Sequence, residues 1–318
     1  SDMSEIEAVG HRVVHGGPYF FESVLLNDEV LEKLELCRDF APLHTGAHIM
    51  GIKGCLAVMP NKPQVLVFDT SFHQTMPEQA YTYGISKEMA EKYHIRRYGA
   101  HGTSHRFVSA EMAKLLDKPL EETKIITCHI GNGASISAVV DGKCVDTSMG
   151  LTPLEGLMMG TRSGDIDGGA VTFIMEKEGL DATGVSNLLN KKSGVQGVSG
   201  VSSDMREICA AVDAGHPRAT LALNMYEYRI RKYIGSYAAA MGGVDVILFT
   251  GGVGENQDNT REAACRGLEF MGVKIDTEKN KTVRGEEAII STPDSKVKVV
   301  VIPTDEELMI ATDTMNLL

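Results

Sequence analysis

Short continuous runs of β-branched and aliphatic residues recur along this chain, separated by stretches with the spacing of helices. Such apolar runs suit strands of a sheet that is covered on both faces. One helix is expected to open at Pro217 and end before Gly242, and another to run from Asp258 to Gly272. Alternating strands and helices predict an α/β protein. The predicted strands are 65–68, 124–129, 244–250 and 297–302.

The composition limits the partners that this chain can have. Its 318 residues carry a formal net charge of −12. Without an excess of phosphate-neutralising residues, we expect no nucleic acid and no anionic membrane as a partner, so any anion must be held by a local pocket. No run of about 18 apolar residues occurs. Six cysteines without a CxxC pair favour a reducing cytoplasm, and the length predicts two domains.

Three glycine-rich stretches are candidates for anion binding. The stretches 129–135 and 250–256 each follow a predicted strand, and 160–165 places Arg162 between glycines. Glycine lets backbone N–H groups approach an anion, and a helix that starts there adds its positive end. A guanidinium in such a loop suits a carboxylate or a phosphoryl group. The alternatives are plain tight turns and a structural ion pair. Neither a Walker A motif nor a complete GxGxxG occurs.

Acidic residues at strand ends are candidate cation ligands. Asp69 ends one strand, and the triplet 305–307 follows another. Mg²⁺ usually takes one or two carboxylates beside substrate phosphates. A cap at Asp69 and an acidic first turn of the C-terminal helix are the alternatives. Histidines at 11 and 15, and at 101 and 105, have the spacing of a helical zinc site, but the glycine near each pair argues against a helix.

Together these motifs resemble the acetokinase family of the sugar kinase, Hsp70 and actin superfamily. The resemblance implies two actin-like (ribonuclease H-like) α/β domains with mixed sheets around an interdomain cleft. The first domain would hold 1–71 plus 307–318, and the second, which binds the nucleotide and dimerises, would hold 72–306. The matching stretches run in family order over essentially the whole chain: VGHRVVHGG at 9–17, VFDTSFHQTMP at 67–77, YGAHGTSH at 98–105, CHIGNG at 128–133, MGLTPLEG at 149–156, MGTRSG at 159–164 and FTGGVGEN at 249–256.

The resemblance also implies an activity and a catalytic set. The activity is ATP + acetate ⇌ ADP + acetyl phosphate by direct in-line transfer, with Mg²⁺ or alternatively Mn²⁺, in a cytoplasmic homodimer. Arg12 and Arg162 would hold the carboxylate and the migrating phosphoryl group. Asp69 would be catalytic, Glu306 would bind the metal, and His101 would stabilise the transition state with Arg162.

Two binding pockets follow from the same resemblance, together with two further active-site histidines at 44 and 129. Arg12 would share the acetate pocket with an apolar methyl site at Val14, Leu43 and Pro153. The nucleotide-binding residues would be His129, Ile130, Gly131, Asn132, Gly133, Asp204, Met205, Arg206, Gly252, Val253, Gly254, Glu255 and Asn256.

Several features leave alternatives open. Nothing matches the Asn-x-Gly-Ser-Ser-Ser-x-Lys loop with which the family opens, so we expect a segment before residue 1, and a polypeptide truncated there should be inactive. Ala100 stands where some members have Phe, and a roomier pocket would admit propionate or butyrate. A non-catalytic actin- or Hsp70-like ATP-binding module would not need Arg12 and Arg162. Tyrosines of the helix at 217–241 suggest the dimer contact.

Overall fold

The computed structural model describes residues 5–42 and 44–318, in which two mixed sheets are flanked by helices. The first sheet has the order β1-β3-β2, with β1 and β3 parallel. The second has the order β6-β5-β4-β7-β9-β8, with β4, β7 and β9 parallel at its centre. The predicted α/β class with mixed sheets is confirmed. The strands are β1 Val9–Val13, β2 Val24–Leu25, β3 Gln64–Phe68, β4 Lys124–Ile130, β5 Ala134–Val140, β6 Lys143–Thr147, β7 Val246–Thr250, β8 Ala288–Ile289 and β9 Lys298–Val301.

The helices cover the faces of both sheets and connect them. They are α1 Asp28–Leu36, α2 Thr45–Val58, α3 Glu78–Tyr81, α4 Lys87–Tyr93, α5 Gly102–Leu115, α6 Gly168–Glu178, α7 Ala182–Lys191, α8 Gly194–Ser199, α9 Met205–Asp213, α10 Pro217–Ala240, α11 Gly251–Asn256, α12 Asp258–Cys265, α13 Thr277–Thr282 and α14 Glu306–Asn316, with short 3₁₀ turns at Cys37–Asp39, Ser71–Thr75, Leu120–Glu122 and Glu269–Met271.

The helix predicted to open at Pro217 is confirmed, and the one predicted over 258–272 is wrong in its length. His216 caps α10 by accepting a hydrogen bond at Nδ1 from the Ala219 N–H. The second helix ends at Cys265, because the backbone of Arg266 is extended (ψ 127) and Gly267 follows with φ +86, which turns the chain away from the helix axis. Only a 3₁₀ turn follows it.

Each sheet has a core of its own. In the first, Phe68 and Leu66 pack with Ile52 of α2. In the second, Ile247 and Ile136 belong to a larger cluster with α10. Among the described residues, no helix is long and apolar enough to cross a membrane.

The C-terminal helix α14 lies against the first sheet. A Cβ at Gly10 of β1 would come within 2.6 Å of Ile310 and 2.5 Å of the Thr314 hydroxyl, so only glycine permits this packing. The helix begins with Asp305 as its N-cap, whose side chain accepts from the Leu308 N–H at 2.8 Å. The placement of α14 agrees with the proposed division into 1–71 plus 307–318 and 72–306, which stays a prediction.

Candidate active site

Arg12 and Asp69 lie side by side because they are near the carboxyl ends of two neighbouring parallel strands. Arg12 is opposite Val67 in the β1–β3 register, and Asp69 follows β3 directly. The guanidinium donates from Nε to Asp69 Oδ1 at 3.1 Å and from Nη2 to Oδ2 at 2.7 Å. The Asp69 charge raises the pKa of Arg12 despite its burial. Arg12 is therefore a permanent cation held in one orientation by a buried carboxylate.

The start of α5 is fixed against the same aspartate. The Gly102 N–H donates to the Asp69 carbonyl oxygen at 3.0 Å, and a Cβ at Gly102 would lie 2.1 Å from that oxygen. His101, just before the helix, has a left-handed φ of 57. Contrary to the sequence-based expectation, glycine does not prevent a helix at 101–105, because its missing side chain lets α5 begin this close to the first sheet.

Glu306, the first residue of α14, brings a second carboxylate to Arg12. Its Oε1 lies 4.0 Å from Arg12 Nε, which is 3.1 Å from Asp69 Oδ1, so the sum of the two distances, about 7 Å, is the upper limit between these carboxylate oxygens. Burial raises the pKa of Glu306; Arg12 opposes this shift and Asp69 adds to it. The same Oε1 is buried with no hydrogen-bond partner among the described residues. A buried acceptor without a donor calls for a cation.

These two carboxylates fit a hard divalent cation. Mg²⁺ keeps several waters and takes one or two carboxylates beside substrate phosphates. Asp69 and Glu306 offer such a donor set, because Glu306 Oε1 lies near Asp69 and accepts no hydrogen bond among the described residues. Within 5–42 and 44–318, no group of three or more His, Cys, Asp or Glu residues could hold a metal ion. The histidines at 11 and 15 bond to separate partners, Gln64 and the Leu151 carbonyl.

Arg162 is the cation of the site that has no carboxylate partner among the described residues. Its Nη1 donates to the Pro153 carbonyl at 2.8 Å, and burial lowers its pKa. A Cβ at Gly133 would lie 3.3 Å from Arg162 Nη2 and 3.6 Å from His101 Nε2. A guanidinium and an imidazole therefore face the same space above Gly133.

Four histidine side chains cluster behind this space. His101 stacks on His129 with ring centroids 4.3 Å apart, and His105 lies 6.2 Å from His129 and 5.7 Å from His73. Burial is the main cause that lowers the pKa of each, to about 4 for His73 and His129 and well below the usual value for the other two. At neutral pH these imidazoles are uncharged and act as hydrogen-bonding groups.

A cavity of about 410 Å³ opens beside Arg162. Its walls are largely apolar and include Phe40, Pro153 and Leu189, while His44 and Arg162 add polar groups. Burial, followed by the charge of Arg162, lowers the pKa of His44. An apolar recess with a guanidinium at one side is suited to a small carboxylate with a short aliphatic tail.

The predicted methyl pocket is only partly assembled here. Pro153 lines the cavity, whereas Val14 is not in its lining, and the Val14 N–H donates to His48 Nε2 at 3.3 Å. Leu43 lies outside the described residues. Ala100, the position connected with propionate, is buried and does not line the cavity; its carbonyl accepts a hydrogen bond from His73 Nε2 at 2.9 Å. The structure therefore gives Ala100 no direct part in the size of this cavity.

A second cavity, of about 630 Å³, lies where β4 and β7 end. These strands are parallel neighbours, so their carboxyl ends bring both glycine-rich turns to one sheet edge. Two residues that sequence analysis missed, Ser203 and Gln257, also line it. The available signal was position, because Ser203 precedes the predicted residue Asp204 and Gln257 follows the stretch 249–256. Eight of the predicted nucleotide-binding residues form the rest of the lining: Gly131, Asn132, Asp204, Met205, Arg206, Gly252, Val253 and Asn256.

Five predicted nucleotide-binding residues do not line this cavity: His129, Ile130, Gly133, Gly254 and Glu255. Ile130 is part of the second core. Glu255 is used internally, because its Oε1 accepts hydrogen bonds from Gly251 N at 2.8 Å, Thr250 Oγ1 at 3.2 Å and Thr304 N at 3.1 Å. Its side chain therefore joins the second glycine-rich turn to the segment that leads to Glu306.

The turn 131–133 lies between the two cavities. The Gly160 N–H donates to the Asn132 carbonyl at 3.0 Å, and a Cβ at Gly160 would lie 1.9 Å from Asn132 Oδ1. Asn132 lines the larger cavity, Gly133 faces Arg162, and Arg162 lines the smaller one. An arginine without a carboxylate partner among the described residues, a neutral imidazole and two carboxylates are the kinds of group that can position and neutralise a transferring phosphoryl group.

Comparison with known proteins gives the family. The sequence profile described as "Acetokinase family" matches residues 1–312. The acetate kinase of Phocaeicola vulgatus is 71% identical over 316 residues, which are 99% of this chain and 79% of that protein. Among crystal structures, acetate kinase from Porphyromonas gingivalis has a TM-score of 0.95 at 58% identity, covering 99% of this chain and 79% of its own. A propionate kinase from Francisella tularensis has a TM-score of 0.94 at 47% identity, covering 99% and 80%. The chain belongs to the acetokinase family.

Proposed function

We propose that this protein transfers the γ-phosphoryl group of ATP to acetate and gives ADP and acetyl phosphate. The observation that carries the proposal is the placement of Arg162, which has no carboxylate partner in the described chain and faces the same space as His101 Nε2, between a small apolar cavity and a larger one. An unpaired buried cation is costly unless an anion neutralises it. The acetate kinases that share this chain's fold and most of its sequence support the choice of acetate.

The reaction is a direct in-line displacement. Acetate is already ionised at pH 7, so it attacks phosphorus without a strong base. Arg162 orients the carboxylate and, with Arg12, neutralises charge on the phosphoryl oxygens as the bond to ADP breaks. His101 donates a hydrogen bond to an equatorial oxygen in the transition state. No serine or cysteine nucleophile takes part.

Asp69 and Glu306 are the residues that would hold Mg²⁺, or Mn²⁺ in its place. When bound, the cation supplies positive charge to the phosphate oxygens. Glu306 Oε1 supports this role, because it is buried and accepts no hydrogen bond among the described residues. Asp69 also keeps Arg12 in place, because both of its oxygens accept from that guanidinium.

An assay of acyl phosphate formation tests the proposal. The purified full-length protein is incubated with ATP, MgCl₂ and one of acetate, propionate or butyrate, and acyl phosphate is trapped as the hydroxamate. We expect the highest kcat/KM with acetate. Each methylene added to the acid should lower kcat/KM about tenfold, because the small cavity does not accommodate it. A higher kcat/KM with propionate would make the protein a propionate kinase, like the Francisella tularensis relative, and no hydroxamate with any acid would refute the proposal.

We further propose that the protein is a homodimer of the cytoplasm, with α10 at or near the contact. Leu221 and Tyr228 of α10 are 42% and 58% exposed and lie seven residues apart, on one face of the helix. Tyr226 and Tyr237 point the other way, into the core of the second sheet. Tyrosine is favoured at subunit contacts because it has an apolar body and a polar tip.

A further inference from the structure

Ser135, the second residue of β5, connects two of the clustered histidines. Its Oγ lies 2.9 Å from His101 Nδ1 and 2.8 Å from His105 Nε2. His105 Nδ1 in turn lies 2.7 Å from Thr127 Oγ1 on β4. Ser135, His105 and Thr127 are fully buried. This chain of four polar groups ends at His101 Nε2, which has no hydrogen-bond partner in the described part of the protein and faces the space above Gly133.

A single hydroxyl proton restricts how this chain can be protonated. Ser135 can donate to only one of its two histidine neighbours and must accept from the other. If it donates to His101 Nδ1, the proton of His101 is on Nε2, His105 donates from Nε2 to Ser135, and Thr127 donates to His105 Nδ1. If Ser135 donates to His105 instead, all of these bonds reverse. Thr127 then donates to the Ser137 carbonyl at 3.4 Å, and His101 Nε2 presents a lone pair to the site.

Only the first arrangement suits an anion. A bare lone pair at Nε2 would repel a phosphoryl oxygen, whereas an Nε2–H group binds it. Burial lowers the pKa of both imidazoles well below the usual value, so at neutral pH each carries a single ring proton. The direction of the serine proton therefore decides whether His101 can donate.

We propose that Ser135 is a positioning residue of the phosphoryl-transfer site: with His105 and Thr127 behind it, it holds His101 as the Nε2–H tautomer that donates to the transferring phosphoryl group. The inference rests on the proposed function for the identity of that group. The hydroxyl acts through His101 and does not touch substrate.

The tautomer itself can be measured without any turnover. In protein labelled with ¹⁵N-histidine and saturated with ATP in the absence of acetate, two-dimensional NMR distinguishes a protonated from an unprotonated ring nitrogen. The His101 signals are those missing from His101→Gln. We expect Nε2 to carry the proton and Nδ1 to be an acceptor. A His101 with its proton on Nδ1 would overturn the inference, even if the enzyme makes acetyl phosphate normally.

Two matched serine variants test the consequence for rate. Ser135→Ala should lower kcat about tenfold to a hundredfold, the effect of weakening one hydrogen bond to a charged group, with the KM for ATP and acetate within about twofold. Ser137→Ala is the control, because Ser137 is on the same face of β5 and equally buried but bonds to Thr147 and not to a histidine. Both melting temperatures are compared with the parent protein.

The two variants separate the positioning role from a structural one. If Ser135→Ala and Ser137→Ala lose the same activity, or if Ser135→Ala retains the parent kcat, the positioning role is refuted. If Ser135→Ala does not fold, the NMR spectrum of the parent protein still decides whether His101 is the Nε2–H tautomer. Absence of acetyl phosphate synthesis in the parent protein, with His101 in the expected tautomer, would refute the proposed function and leave the arrangement around Ser135 standing.

Discussion

Arg12 and Arg162 are both cations of the candidate site, and their charges are neutralised by the protein to different extents. Arg12 has a bidentate bond with Asp69, so part of its charge is neutralised before any substrate arrives. Arg162 has a single carbonyl partner and loses solvation through burial. An anion entering beside Arg162 therefore gains more electrostatic stabilisation than one beside Arg12.

Replacing Arg162 should therefore impair the reaction strongly. For Arg162→Ala we expect kcat to fall by about 10²–10⁴, as when a charge partner of a transition state is lost. Arg266→Ala serves as control, because Arg266 is 68% exposed on its side chain and forms an ion pair with Glu262 on α12, away from the proposed site. Steady-state kinetics of acetyl phosphate formation measures both. Near-normal turnover in Arg162→Ala would remove this residue from the mechanism.

Gly102 should tolerate no side chain. A Cβ there would lie 2.1 Å from the Asp69 carbonyl oxygen, so Gly102→Ala must push α5 away from the first sheet and shift both Asp69 and His101. We expect a loss of stability of about 2 kcal/mol or more and a fall in kcat. Gly54→Ala, in the middle of α2 with nothing within 4 Å, should instead stabilise the protein by about 0.5–1 kcal/mol.

Urea unfolding and steady-state kinetics of both glycine variants provide the measurement. If Gly102→Ala is as stable and as active as the parent protein, the close approach of α5 to Asp69 is incorrect. The two variants introduce the same methyl group, so a difference between them reports on the local contact.

Sequence reasoning named residues that the structure brings together, and their roles in binding and catalysis stay predictions. Arg12, Asp69, His101, Arg162 and Glu306 converge, because strand ends and helix starts carry them to one junction. The motif stretch around Gly254 and Glu255 was treated as uniformly nucleotide-binding. A short helix points successive side chains in different directions, and in this stretch Gly252, Val253 and Asn256 line the cavity whereas Gly254 and Glu255 do not.

At the level of elements, Glu255 connects two segments that are distant in sequence. Its Oε1 accepts from the Gly251 N–H, at the start of α11, and from the Thr304 N–H, two residues before Glu306. The larger cavity, where we propose that the nucleotide binds, is thereby connected through one side chain to the segment that leads to Glu306. Sequence analysis could not find this role, because it depends on β7 and β9 being adjacent parallel strands.

Removing the Glu255 carboxylate should loosen this connection. We expect Glu255→Ala to raise the KM for ATP about tenfold and to lower stability by roughly 1–3 kcal/mol, because the Gly251 and Thr304 N–H groups lose their acceptor. Glu255→Gln retains one oxygen acceptor and should show a clearly smaller effect. ATP titrations and urea unfolding test both variants. Equal behaviour of the alanine and glutamine variants would show that the acceptor oxygen is unimportant.

The length of helix α10 could be predicted from the sequence, whereas its role could not. Pro217 and the paired glycines at 242–243 mark its ends in the sequence. Its tyrosines could belong either to a core or to a subunit contact, since both bury apolar surface. The structure places Tyr226 in the core, where its hydroxyl donates to the Gly131 carbonyl at 3.3 Å, and so the helix also supports a turn of the site.

For the molecule as a whole, buried neutral histidines predict how stability depends on pH. Burial lowers the pKa of His15 and His73 to about 4, whereas an unfolded chain has a value near 6.5. Between pH 6.5 and 4 the unfolded state binds protons that the native state does not. The free energy of unfolding should therefore fall as the pH falls through this range, by up to about 3 kcal/mol per histidine, and should not change from this cause above pH 7.

Urea unfolding at fixed protein concentration, from pH 7.5 to 4.5, measures this dependence. His73→Gln should make the free energy of unfolding depend less on pH, because the variant has one buried imidazole fewer. His94→Asn, at an exposed position, should leave the slope unchanged. A parent protein that is equally stable at pH 5 and pH 7 would contradict the assignment of these histidines as neutral.

The last prediction concerns the assembly of two chains into a dimer. Exposed Leu221 and Tyr228 share one face of α10, and a paired copy would bury them against each other. Light scattering at micromolar concentration should give about twice 34.4 kDa. Leu221→Glu with Tyr228→Glu should reduce the mass to that of one chain, because a charged residue in a desolvated contact is costly.

Phe270→Glu, on an 81% exposed side chain outside α10, should leave the mass unchanged. A parent protein near 34.4 kDa at every concentration tested would exclude the dimer, whereas a dimer unaffected by the α10 double variant would move the contact to another surface.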